Sequence, residues 1–163
     1  MTMPDDAARH DPSGSVDPTA EREVFTDMVL RTFRLNGMLL QIAEGLAKPA
    51  GLTAAWWQVL GAVLRQPLTV SGVARAMGLT RQSVQRIADL LVERGLAEYR
   101  PNPAHARAKL LAPTRQGWAA IDAMRADTVA LARSVADLVG ADDLRHTVAV
   151  MDRIIAILPD LDR

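Results

Sequence analysis

Two arginines, two glutamines and a serine crowd one short stretch of this chain, at Arg81, Gln82, Ser83, Gln85 and Arg86. These are side chains that read nucleic-acid bases. Arginine donates two hydrogen bonds to the acceptors of guanine, glutamine both donates to and accepts from adenine, and serine serves bases or phosphates. If the stretch is helical, Val84, Ile87, Ala88 and Leu91 form the buried face, and the five polar residues point outward within the first two turns. The start of a helix also favours phosphate through its unpaired amide groups. The same residues fit a plainer reading, the solvated face of an ordinary two-helix corner.

Side chains select a base sequence only when something holds them firmly against a groove. The segment from Thr69 to Leu96 has the pattern of two short helices joined by a tight turn. Val70, Val73, Ala74 and Met77 recur at i, i+3, i+4 and i+7 behind Thr69, which is placed to cap the first helix. Gly78 suits the left-handed conformation that closes a helix, and Leu79 alone separates it from Thr80, the cap of the second. Gly95 marks the end of that second helix. In a helix-turn-helix the second helix lies in the DNA major groove, with its N-terminal residues against base edges.

Beyond Leu96 the pattern shifts to two short candidate strands, residues 97–101 and 108–113, around a polar tip at residues 102–107. A hairpin directly after the motif makes it a winged helix. Arg100, Arg107 and Lys109 on that wing are placed to lie along phosphates or to enter a minor groove.

The flanks are helical. Asp17 and Pro18 form a good opening for a long helix from about Thr19 to about Lys48, whose apolar residues, from Val24 and Phe25 to Ile42 and Leu46, wrap a surface too broad for one contact. Gly37 and Gly45 inside it suggest close backbone approach. Thr53 caps the next helix, which ends before Pro67. Its adjacent Trp56 and Trp57 cannot share a face at about 100° per residue, so one is expected in the core and the other toward a cleft or another helix. Downstream, Thr114 opens one long helix that ends at Gly140. A last helix carries Leu144, Val148, Met151, Ile155 and Leu158 at near-heptad spacing and is ended by Pro159. These faces exceed what one small domain covers. Homodimerisation accounts for the excess, and it would place two recognition helices about 34 Å apart.

At 163 residues and 49% hydrophobic, the chain suffices for one mostly α domain with a real core. Net charge is zero, but residues 65–115 hold nine Lys or Arg against Asp89, Glu93 and Glu98, a surplus of +6, and the flanks each sum to −3. A basic segment between acidic ends is the footprint of a DNA-reading module on a scaffold. With no cysteine, disulfides and thiolate metal sites are excluded. No long apolar run and no basic-then-apolar leader occur, so a cytoplasmic protein without membrane contact is expected. His10, His105 and His146 are the only histidines and lack ligand spacing, and no nucleophile elbow or nucleotide-binding glycine motif appears. The reading is therefore not an enzyme, with no cofactor and no metal site.

The order of elements resembles the MarR family, the multiple-antibiotic-resistance-type regulators, over nearly everything after residue 20. Leu52–Leu60, LTAAWWQVL, is similar to the family's Leu-Thr-x-x-Gln-aromatic-x-Val-Leu; Leu90–Arg100, LLVERGLAEYR, follows the motif; and Asn102–Ile121 resembles its wing and the Leu-Thr-x-x-Gly segment beyond. The resemblance implies a homodimeric winged helix-turn-helix regulator that binds double-stranded DNA. Gln82, Ser83, Gln85 and Arg86 would then read or position the major groove beside Arg81, Arg107 would enter the minor groove from the wing tip, and Lys109 would sit near phosphate. This chain has Asn102, Ala104 and His105 where the family usually has two aspartates and a further arginine. A pocket for a small aromatic or phenolic effector is also implied, with Arg34, Met38, Trp56, Leu60 and Trp118 as candidates and His146 as a possible anion partner.

The expected architecture is a mostly α protein: an acidic disordered tail at 1–17, a dimerisation helix at 18–50, a winged-helix DNA-binding domain at 52–114, and C-terminal dimerisation helices at 115–163. The expected function is a ligand-responsive repressor binding a palindromic operator. The competing readings are a winged-helix protein-interaction module and a metal-responsive regulator.

Overall fold

A computed structural model describes residues 18–105 and 107–161. The tail at 1–17 and the Asp17 cap lie outside the described residues. The chain divides into two compact units, residues 1–40 and 41–163. Of the first unit the described part is one helical stretch, in which Val24, Phe25, Leu30, Phe33, Met38 and Leu39 are exposed.

In chain order the elements are α1 (Pro18–Ala47), a 3-10 turn at Lys48–Ala50, α2 (Ala54–Val63), β1 (Leu68–Thr69), α3 (Val70–Met77), α4 (Arg81–Glu93), β2 (Ala97–Arg100), β3 (Leu110–Pro113), α5 (Arg115–Ala123), α6 (Arg125–Val139) and α7 (Ala141–Leu161). Four helices begin on a threonine whose hydroxyl accepts an amide proton three residues on. Thr53 takes Trp56 N–H at 3.2 Å, Thr69 takes Gly72 at 3.0 Å, Thr80 takes Ser83 at 3.1 Å and Thr114 takes Gly117 at 3.1 Å. Each such cap contributes about 1 kcal/mol. A Glu44 carboxylate oxygen adds a second acceptor at the start of α2, 2.7 Å from the Ala54 amide.

The core of the second unit is built by α2, α3, α4 and the sheet, with Val59, Leu60, Val63, Val73, Val84, Leu91 and Leu111 essentially sealed from solvent. Both tryptophans are half-buried against it, so neither is the core residue and neither stands apart.

Four expectations are corrected. The wing is not a two-stranded hairpin, because β1 adds a third antiparallel strand in the order β1-β3-β2, pairing Leu68 with Leu111 and Thr69 with Leu110. Residues 115–139 are two helices. At Met124 the ladder tightens, its amide bonding the Ile121 carbonyl at 3.1 Å, and the methionine is buried at 2% exposure. Pro159 lies inside α7. Its missing N–H falls in the last turn, so only the Ile155 carbonyl loses a helical donor. Last, a Cβ at Gly37 or Gly45 would meet nothing within 4 Å among the described residues, so these glycines mark no close approach within the chain.

Candidate nucleic-acid interface

The turn between α3 and α4 is closed by Gly78 at φ 62, where the Cβ of another residue would be strained. This leaves α4 anchored by Val84, Ile87, Ala88 and Leu91, with Arg81, Gln82, Ser83, Gln85 and Arg86 all exposed. Ser83 is held at the cap, its Oγ accepting the Thr80 hydroxyl at 2.8 Å, and its own O–H stays available to donate. Thr69 is both the last residue of β1 and the cap of α3. The register of the sheet therefore sets where the helix-turn-helix begins.

A cleft of about 270 Å3 opens where these elements meet. The start of α3 supplies Thr69, Val70 and Ser71, α4 supplies Arg81 and Gln85, β2 supplies Tyr99, and the hairpin supplies Arg107, Ala108 and Lys109. Arg81, Gln85, Arg107 and Lys109 thus share one concave surface. Gln82, Ser83 and Arg86 stand on α4 and do not line it. Among the described residues, Arg81, Arg86, Arg107 and Lys109 form no ion pair. Arg100 does, at 2.7 Å from Glu98, which offsets part of the third cation of the wing.

The link between α4 and the wing was not expected from sequence. The Tyr99 hydroxyl donates to Asp89 Oδ1 at 2.8 Å, and Gln85 Nε2 lies 2.9 Å from both that oxygen and the tyrosine hydroxyl. Burial first, and then the Asp89 carboxylate, push the Tyr99 hydroxyl from 10.0 up to about 12, with Gln85 opposing them. At neutral pH the phenol therefore stays a donor. The four-residue spacing of Gln85 and Asp89 on a helix was a legible signal for their pairing, but nothing local announced Tyr99.

At the wing tip Asn102 uses both ends of its amide. Nδ2 donates to the Ala108 carbonyl at 2.9 Å and Oδ1 accepts the Ala104 amide at 3.0 Å. The side chain closes the loop on which Arg107 sits.

A family model described as MarR family matches residues 50–108. A crystal structure of a MarR-family transcriptional regulator from Rhodococcus sp. RHA1 superposes with a TM-score of 0.70 at 26% identity, covering 80% of this chain and 93% of that one. The chain belongs to the MarR family. MarR-family proteins are transcription regulators, so this chain is a regulator and not an enzyme. It is also similar to an uncharacterised protein of Mycobacterium tuberculosis (strain ATCC 25618 / H37Rv), 38% identical over 131 residues, 80% of this chain and 92% of the relative. CouR from Rhodococcus jostii RHA1, a structure bound to p-coumaroyl-CoA, is similar at 26% identity and a TM-score of 0.66, covering 81% of this chain and 93% of CouR.

In this MarR-family chain the effector candidates occupy unlike environments. Arg34 and Met38 are exposed in the first unit. In the second, Leu60 is fully buried in the core, Trp118 is 43% exposed, and His146 is on the surface. Trp56 is half-buried with the Arg94 guanidinium 5.2 Å from its ring centre, a cation–π contact that sequence reasoning did not find. Among the described residues no group of three His, Asp or Glu could hold a metal, and no helix is long and apolar enough to cross a membrane.

Proposed function

We propose that this MarR-family regulator binds a palindromic operator in double-stranded DNA as a homodimer and represses transcription until a small aromatic or phenolic effector relieves it. The observation that carries the reading is the shared surface of α4 and the wing, where Arg81, Arg107 and Lys109 face one cleft with no carboxylate paired to them among the described residues. In this reading the start of α4 enters the major groove, with Gln82, Ser83, Gln85 and Arg86 at base edges or phosphates, and Arg107 reaches the adjacent minor groove. Residues 52–114 are the DNA-binding domain. Residues 18–50 and 115–163 form the dimerisation region, whose exposed apolar faces supply the contact. That a similar regulator, CouR, is bound to p-coumaroyl-CoA supports an aromatic effector here. Such a ligand acts only if it binds one arrangement of the two recognition helices more tightly than another.

The test is fluorescence anisotropy with promoter-region DNA over a salt series, for the protein and for Arg86→Ala. We expect a steep salt slope, shallower by about one unit in the variant, with affinity lower by about tenfold. Equal binding of both proteins to promoter and random DNA would remove the proposal and favour a protein-interaction module.

A further inference from the structure

The two ends of a glutamine amide have opposite polarity, and half a turn about its last bond exchanges them. In Gln85 that exchange is blocked. An ionised carboxylate only accepts, and Asp89 Oδ1 faces Gln85 Nε2 at 2.9 Å. Tyr99 spends its one hydroxyl proton on the same Asp89 oxygen, so toward Gln85 it too presents an acceptor, again at 2.9 Å. Turning the amide over would set its carbonyl oxygen against two acceptors. Among the described residues nothing donates to Gln85 Oε1, while the side chain is exposed beside the cleft.

We propose that Gln85 is held as an acceptor, so that it takes an exocyclic amino group in the major groove, adenine N6 or cytosine N4, and rejects guanine or thymine on the contacted strand. Guanine and thymine present oxygen acceptors at that place, and a carbonyl meeting them leaves both unpaired. Asp89 and Tyr99 are positioning residues, since they govern the choice through the Gln85 amide. The inference rests on the proposal that α4 lies in the major groove.

The experiment is selection of bound sequences from a double-stranded DNA library with a randomised centre, using the full chain, Gln85→Ala and Asp89→Asn, each checked by thermal melting. The unsubstituted protein should prefer adenine or cytosine over guanine and thymine by about tenfold at one position of each half-site. Gln85→Ala should lose discrimination there and keep it elsewhere. Asp89→Asn keeps the shape of the side chain but supplies a donor, so the same position should open to guanine and thymine while the rest of the preferred sequence stays. An unchanged preference in Asp89→Asn, or an equal loss of affinity for all sequences, would overturn the inference, as would an unchanged selection by Gln85→Ala. Failure of every protein to bind DNA at any salt is a different result, because it removes the DNA-binding proposal as well.

Discussion

The winged-helix segment and the helices after it use apolar side chains in opposite ways. Within α2 to β3, Val59, Leu60, Val73, Leu91 and Leu111 are sealed against one another. In α6 and α7 no residue is buried, and Val129, Leu138, Val148, Ile155 and Leu161 are each more than half exposed. Full burial of such a side chain contributes about 1.5–3 kcal/mol. The first segment therefore gains most of its folding energy from itself, whereas the second presents faces of the kind that mark protein–protein contacts. One chain thus joins a segment that covers its own apolar side chains to helices that leave theirs exposed.

The largest effect should come where α5 closes on the self-sufficient segment. Gly117 sits where α5 meets the turn into β2, and a Cβ there would lie 2.0 Å from the Leu96 carbonyl oxygen. Backbone cannot yield as a flexible side chain can, so Gly117→Ala should cost more than about 4 kcal/mol in urea unfolding. Ordinary stability for this variant would mean that the core is looser than its burial implies. Leu91→Ala, which opens a cavity in the same core, should cost about 3 kcal/mol, equally at every protein concentration.

On α7 the expectation is different in kind. Ile155→Asp should reduce molecular mass in sedimentation and cost on the order of 1–2 kcal/mol of association, with stability loss that grows on dilution. If mass and stability are unchanged, the exposed face is not the contact surface, and the contrast between the two regions fails. The smallest effect concerns the clasp between α4 and the wing. Tyr99 is held protonated up to about 12 rather than 10.0, so its contribution to stability is complete below pH 10 and is lost as pH rises from 10 toward 12. Tyr99→Phe should lower stability slightly at neutral pH, where the bond to Asp89 is lost, and remove the decline over that window.

Much of the fold was legible because it is written in short-range spacing. Thr53, Thr69, Thr80 and Thr114 each reach an amide three residues away, and Gly78 needs only its own backbone freedom to close α3. The five polar residues at the start of α4 were legible for the same reason, since the helical period alone turns them outward. By contrast, β1 has two residues, too few for any alternation to show, and it exists only because β3 pairs with it. The apolar pattern runs unbroken through Met124, so no local signal marked the break that its burial imposes.

By itself, then, the sequence determined the caps, the turn, the helical faces and the basic surplus of residues 65–115, all properties of neighbours along the chain. Tertiary structure alone decided that Arg81 and Gln85 of α4 share a cleft with Arg107 and Lys109, and that Asp89 and Tyr99 hold the Gln85 amide one way round. Apart from Gln85 and Asp89, four residues apart on one helix, those contacts join residues brought together by packing and strand register, of which spacing along the chain carries no trace.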